Sequence, residues 1–275
     1  MDAVRLRTRR MFLADLGRGG IALAVVSFVA ACAPASSSPS SPSAATNAPS
    51  NGEPSPGPSA SEAAASPAAE GSAPAGSAAP EDLAWERVNL GFVSAYLLVR
   101  AGEAAIVDTG VEGSEGEIEA ALERLGLTWA SVAHVILTHR HGDHAGSAPA
   151  VLQLAPQATG YAGAADLGGI SAPRPLTAVA DGDLVFDLRM IATPGHTAGH
   201  IAVLDEAAGV LVAGDALGTA GGTLTGSNPS FTEDEAAAAA SIAKLGALTF
   251  ETLLVGHGEP ILSGASAQVA ALAGG

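Results

Sequence analysis

Three of the seven histidines in this 275-residue chain fall within six positions, His139-Arg140-His141-Gly142-Asp143-His144. Alternate side chains leave an extended segment on the same side, so the imidazoles of His139 and His141 can converge on one point. Gly142 has the conformational freedom for a tight bend, which would aim Asp143 and His144 at a second point nearby. Neutral imidazoles and carboxylates are good ligands for a borderline cation such as Zn(II), and three histidines with carboxylates form a common catalytic ligand set. Packed together without a cation, so many titratable groups would cost desolvation and mutual repulsion.

The same residue types recur further along in short segments. Thr193-Pro194-Gly195-His196 offers a third imidazole for the first point. Gly214-Asp215 offers a carboxylate able to bridge two cations, and Gly256-His257-Gly258 a last imidazole. His134 lies inside an apolar run and reads as structural. His200 closes the segment TPGHTAGH and reads as support for a ligand. For Arg140 a contact with substrate is only an open option.

The elements that must position these groups alternate between strand and helix patterns. Val93–Arg100 and Glu103–Asp108 flank Ala101-Gly102 and read as a hairpin with a two-residue turn. Ser114 with Glu117 has the pattern of a capping box opening a helix through about Leu125, closed by Gly126. Val132–Leu137 is a short apolar strand, and the histidine stretch begins where it ends. Ala145–Leu154 reads as a helix; Leu184–Ile191, Ile201–Leu204, Val210–Ala213 and Thr252–Val255 read as strands. Thr232 with Glu235 is expected to cap a helix to about Leu245. The candidate ligands sit mainly just past the ends of strands, where polar residues on loops held by a rigid sheet serve chemistry before packing. Leu217–Pro229, with four glycines, is either a mobile lip over substrate or a plain connection. In it Thr223, Thr225, Ser227 and Asn228 are possible polar contacts. Phe231 is read as packing under the following helix, with facing the substrate as the alternative.

HRHGDH, TPGHTAGH, AGDA and VGHG, in this order and at this spacing, resemble the metallo-β-lactamase superfamily, from about Trp85 to Gly264. The resemblance implies an α/β fold, a four-layered αββα sandwich with the metals at one edge between two sheets. It implies two divalent cations, zinc before iron or manganese: His139, His141 and His196 on one, Asp143, His144 and His257 on the other, and Asp215 between them. Asp108, in the run Ile106-Val107-Asp108-Thr109-Gly110, matches the family's early aspartate, which fixes the orientation of a ligand by hydrogen bonding.

Two cations sharing a water lower its pKa from about 15.7 towards 7, so hydroxide is present at neutral pH. The same cations can polarise a carbonyl, while Asp143, the expected catalytic residue, orients the hydroxide and passes its proton to the leaving group. The reaction expected is hydrolysis of an ester, thioester, lactone or amide of a small molecule. Subfamilies with a cysteine ligand are excluded, because the one cysteine is Cys32. Asp215 argues against penicillin-type substrates and makes the set more like glyoxalase II and lactonases. Glyoxalase II, however, carries a helical C-terminal domain, whereas this sequence ends eighteen residues after His257. A mononuclear-iron persulfide dioxygenase shares the histidine pattern and stands as the alternative. A surface-tethered binding lipoprotein without turnover is a further one, although its expected mark, loss of a ligand, is missing.

Composition divides the chain. The first thirty-two residues hold five of the twelve bases, then an apolar run from Ile21 to Ala31. This reads as a targeting signal, too short for a membrane-spanning helix of about 20 residues. Thr8-Arg9-Arg10-Met11-Phe12-Leu13 resembles the twin-arginine export motif, and Val29-Ala30-Ala31-Cys32 a lipobox in which Cys32 is lipidated. Residues 33–80, nearly all Ala, Ser, Pro and Gly, read as a disordered tether, and 81–275 as the catalytic domain. The expected location is thus the extracytoplasmic face of the cell membrane, with the membrane reached through the lipid anchor. Five acids and five bases precede position 81, which leaves 23 acids against seven bases beyond it, a formal charge of −16. Nucleic acid, which needs basic patches, is excluded as a partner. Oligomeric state is left open.

Overall fold

The computed structural model describes residues 83–275, in which thirteen short strands and five helices alternate. The signal, Cys32 and the tether at 33–80 lie outside the described residues.

The first sheet is built from β1 (Ala84–Asn89), β2 (Ser94–Arg100), β3 (Glu103–Val107), β4 (Val132–Leu137), β5 (Thr159–Gly163) and β6 (Thr177–Val179), side by side in that order. The first three strands are antiparallel and β3 to β6 are parallel. The expected hairpin is present: Ala101 and Gly102, both at positive φ, make the two-residue turn from β2 to β3. The second sheet follows from β7 (Leu184–Val185), β8 (Leu188–Ala192), β9 (Ile201–Asp205), β10 (Val210–Val212) and, arriving later in sequence, β13 (Thr252–Leu254). Its spatial order is β13-β10-β9-β8-β7. β11 (Leu217–Ala220) and β12 (Thr223–Gly226) form a separate hairpin.

Three hydrophobic clusters fill the spaces between four layers. One sandwiches the first sheet against α1 (Glu115–Arg124) and the helix Ala148–Leu154, through Leu97, Ile106, Ile118, Leu122, Val135 and Leu152. A second lies between the sheets, where Tyr96, Leu98, Ile136, Met190, Ile201 and Val212 meet. The third, with Leu204, Leu211, Leu245, Leu253 and Val269, joins the second sheet to the helices Glu235–Gly246 and Ala265–Ala273. Strands buried on both faces read as continuous apolar runs, which is why VAHVIL and IAVLD stand out in the sequence. This is the αββα sandwich that the motifs imply.

In chain order the remaining helices are α2 (Gly142–Ala145), α3 (Ala148–Leu154), α4 (Glu235–Gly246) and α5 (Ala265–Ala273). Several local expectations are corrected. The helix expected over Ala145–Leu154 is two pieces, α2 and α3, separated at Gly146-Ser147. Leu184–Ile191 is a tight hairpin, with Phe186 and Asp187 both at positive φ between β7 and β8. Ser114 makes no side-chain cap to α1; its backbone N–H donates to Ser147 Oγ instead. α4 is capped by Asp234, whose carboxylate accepts from the Ala237 N–H, and not by Thr232.

The candidate ligands collect at one edge for a topological reason. β3 and β4 are parallel, so Asp108 and the 139–144 segment leave the first sheet on the same side. In the second sheet β8, β10 and β13 all run one way, because β9 is antiparallel to β8 and β10 while β13 is parallel to β10. The loops carrying His196, Asp215 and His257 therefore share an edge too. Two backbone hydrogen bonds join the sheets there, Ser94 N–H to Gly256 O and Ile201 N–H to Thr138 O.

Candidate metal centre

His139, His141 and His196 face one another through single nitrogens. His139 Nε2 is 3.1 Å from His141 Nδ1, which is 3.0 Å from His196 Nε2. Beside this triad His144 Nε2 lies 3.3 Å from His257 Nε2. Asp143 Oδ2 is 3.3 Å and Asp215 Oδ2 3.2 Å from His257 Nε2. Asp215 also approaches His196 at 3.3 Å and His144 at 3.2 Å, so it stands between the two groups. His139, His144 and His196 are buried, whereas His141, Asp143 and His257 open toward solvent.

The other nitrogens of these imidazoles decide which lone pairs point inward. His144 Nδ1 is 2.8 Å from the Asp108 carboxylate and His257 Nδ1 2.7 Å from the Phe92 carbonyl, both acceptors, so each Nδ1 carries a hydrogen. The single hydroxyl hydrogen of Thr138 goes to Asp108, so Thr138 Oγ1 must accept from His139 Nδ1 at 3.0 Å. A hydroxyl chain does the same for His196. Thr232 Oγ1 donates to the Asn228 carbonyl, Ser227 Oγ then donates to Thr232, and His196 Nδ1 donates to Ser227 Oγ at 3.1 Å. The Nε2 atoms of these four imidazoles thus face one small volume beside two carboxylates, where their lone pairs could be given to a cation.

Asp215 Oδ1 is a buried carboxylate oxygen whose neighbour is His144 Nε2, at 3.2 Å. Burial alone would raise its pKa, but the imidazoles of His144, His257 and His139 hold it far below the usual carboxylate range. Hydrogen bonds to Asp143 and Asp215 push His257 up to about 10. For His144, burial opposes charge, yet Asp108 and Asp215 outweigh it and raise the group. Burial presses His196 down to about 4. A pocket of lone pairs and buried negative charge calls for positive charge, and the residues present fit two divalent cations. Groups of ligand atoms close enough to hold one ion include His139 with His141 and His196, and Asp143 with His144 and His257.

All seven candidate ligands are brought together, and both supporting residues are beside them. Asp108 accepts from Thr138 N–H, Thr138 Oγ1 and His144 Nδ1. His200 is buried and neutral, its pKa pressed down to about 3 by burial. Its Nε2 accepts the backbone N–H of Asp215, so Nδ1 donates to Thr193 Oγ1 at 2.8 Å. His134 is remote, against Tyr161 and Phe186. Gly142 begins α2 in ordinary helical backbone; the turn of α2 itself redirects Asp143 and His144, without any glycine-only angle. Gly256 matters more: a Cβ there would come within 2.4 Å of Asp215 Oδ1 and 2.6 Å of His144 Cε1.

Arg140 points away from the site, pairing with Asp166 and Glu233. Asp166, which no motif marks, is fully buried and accepts from Arg140 N–H, Thr197 Oγ1 and Gly199 N–H. It ties the 139–141 segment to the loop carrying His196. Ser227, expected at most as a substrate contact, holds His196. Leu217–Pro229 is more than a bare connection: it contains the hairpin β11–β12, which walls a cleft of about 660 Å³ over the candidate ligands. Phe231 is exposed on this cleft and does not pack under α4. No helix among the described residues is long and apolar enough to cross a membrane.

A mixed α/β sandwich with this histidine and aspartate cluster at one sheet edge defines the metallo-β-lactamase fold class. The chain belongs to the metallo-beta-lactamase superfamily, whose family model matches residues 88–257. Among solved structures it is similar to a metallo-beta-lactamase family protein from Thermus thermophilus, at a TM-score of 0.57 and 26% identity over 70% of this chain and 78% of that one. It is also similar to the metallo-beta-lactamase SMB-1, at 0.54 and 25% over 65% and 78%. Among curated relatives, an uncharacterized protein YobT of Bacillus subtilis (strain 168) is 32% identical over 47% of this chain and 64% of its own length. A hydroxyacylglutathione hydrolase of Acidiphilium cryptum (strain JF-5) is 35% identical over 62% and 66%. The chain thus spans slightly less than two thirds of each of these two relatives.

Proposed function

We propose that the chain is a dinuclear metallo-hydrolase that cleaves an ester, thioester, lactone or amide bond of a small molecule. The observation that carries this reading is the commitment of every outward imidazole nitrogen of His139, His144, His196 and His257 to an acceptor, with the Asp215 carboxylate among their inward nitrogens. His139, His141 and His196 would hold one cation, Asp143, His144 and His257 the other, with Asp215 bridging. When bound, the two cations, zinc in our reading, lower the pKa of a shared water towards about 7 and polarise the substrate carbonyl.

Asp143 does the proton work. Its carboxylate is on the cleft lining and keeps its charge because the hydrogen bond to His257 lowers its pKa. It accepts a hydrogen bond from the attacking water, orients it, and takes its proton as the oxygen attacks. The water oxygen bonds to the carbonyl carbon, the bond to the leaving oxygen, sulfur or nitrogen breaks, and Asp143 returns the proton to that leaving atom. The names of the curated relatives support cleavage of an acyl bond.

The arginine pair and the apolar run before Cys32 support export and a lipid anchor through Cys32, followed by the 33–80 tether, so that hydrolysis would occur outside the cytoplasm. The first test is elemental analysis of the full chain purified without chelator. Two zinc ions per chain support the hydrolase. One iron per chain overturns it in favour of a persulfide dioxygenase, and no metal in favour of a non-catalytic binding protein.

A further inference from the structure

All seven Lys and Arg side chains among the described residues are already engaged. Arg87 bonds Ser94, the Gly258 carbonyl and Glu259. Arg100 pairs with Asp205 and Arg124 with Glu86. Arg140 lies between Asp166 and Glu233. Arg174 donates to three backbone carbonyls, Leu152, Ala155 and Ala158. Arg189 pairs with Glu206 and Lys244 with Asp181. None of the seven lines the cleft over the metal ligands. Beyond those ligands the lining is uncharged, with Leu217, Thr219 and Thr225 as the longer side chains of the β11–β12 wall and the amide of Asn228 just past it.

Two phenylalanines among the described residues are exposed, Phe92 at 64% and Phe231 at 65%, and both line this one cleft. Phe92 marks the His257 end: its ring stacks over the imidazole at 6.1 Å and 13°. Phe231 follows the turn whose Ser227 holds His196. Exposed aromatic surface is unfavourable in water, and its concentration in one cleft without lysine or arginine marks a surface made to be covered by an apolar group.

We infer that the substrate is an uncharged ester or lactone whose hydrocarbon acyl chain is gripped between Phe92 and Phe231. This rests on the hydrolase reading and narrows it. A substrate with a carboxylate remote from the scissile bond, such as a glutathione thioester, would find no basic partner in the cleft and would have to bury or strand that charge.

The test uses the zinc-loaded full chain and a series of 4-nitrophenyl esters from acetyl to decanoyl, with the succinyl ester and an acyl glutathione beside them. kcat/KM should rise about fourfold per added methylene until the cleft is filled. The succinyl ester should fall at least about tenfold below the pentanoyl ester of matching length. F231A should flatten the chain-length dependence and F231L should keep most of it. Equal rates across the series, or preference for the succinyl ester or the glutathione thioester, would overturn the inference. If no ester is cleaved, the hydrolase reading itself fails, and binding of the uncharged dye N-phenyl-1-naphthylamine judges the cleft. Binding lost in F231A supports the apolar grip, and equal binding by both proteins refutes it.

Discussion

Ser227 Oγ lies 3.1 Å from Nδ1 of His196, across a gap of thirty-one positions in sequence. The contact makes a residue at the end of the β11–β12 hairpin the support of a candidate metal ligand in another loop. Without it, the buried imidazole of His196 could take either tautomer. S227A should therefore weaken metal binding by about tenfold to a hundredfold, as loss of such supports commonly does. Competition with a chromophoric chelator measures this directly. Because Ser227 is partly exposed, far-UV circular dichroism should be unchanged, and an unaltered metal affinity would remove the role assigned to the hydroxyl chain.

Asp108 separates metal support from fold support. D108A strands the Thr138 N–H, the Thr138 hydroxyl and His144 Nδ1 in a dry site, and should cost about 3–5 kcal/mol of stability in chemical denaturation. Asp108 also sits at a φ of 61°, which asparagine tolerates better than alanine. D108N should keep much of the stability. Its amide N–H₂, however, opposes a donor if it faces His144 Nδ1–H, or abandons Thr138 if it flips. D108N should thus lose metal affinity while folding. Equal losses of stability in D108N and D108A would contradict this.

D143A tests the assigned chemistry. Asp143 is on the open side of the site, so the fold should survive its removal and the melting temperature of the metal-free protein should change little. Turnover of any ester substrate should disappear. An unchanged rate would refute the proton role of Asp143.

Tyr96 predicts the alkaline limit of stability. Its hydroxyl is buried and donates to the Val255 carbonyl at 2.7 Å, and burial pushes its pKa up to about 12 from the ordinary value of 10.0. The neutral form is therefore the one the fold prefers. Its contribution is complete below pH 10, fades as pH rises from there, and is lost above about 12. Y96F should be less stable at pH 8 by about 1–2 kcal/mol, through the unpartnered Val255 carbonyl. It should also lose less stability than the parent between pH 8 and pH 11. Parallel pH profiles in urea melts would show that Tyr96 does not carry this dependence.

Much of the site was legible in the sequence because its ligands come in short motifs at strand ends. His139 and His141 converge as alternation demands, and Asp215 stands between the two groups as the resemblance of the motifs implied. Apolar runs such as VAHVIL and IAVLD located the central strands, since a strand covered on both faces needs no polar alternation. Elements with mixed exposure were harder to read. β1 carries half-buried polar residues, β5 is rich in glycine and alanine, and the Phe186-Asp187 turn has neither glycine nor asparagine at its positive φ values.

The layered architecture was implied by the resemblance of the motifs to a known superfamily, and what the sequence by itself determined was the types of the candidate ligands, the apolar central strands and the acidic, base-poor character of the domain. Those follow from residue type and local period, which are properties of neighbours along the chain. Only the tertiary structure decided which hydroxyl serves which imidazole, that Asp166 ties two candidate ligand loops together, that every arginine among the described residues is spoken for, and that Phe92 and Phe231 stand bare in one cleft. These are contacts between residues dozens to more than a hundred positions apart. A serine, an aspartate or a phenylalanine looks the same in sequence whichever partner the sheets bring to it.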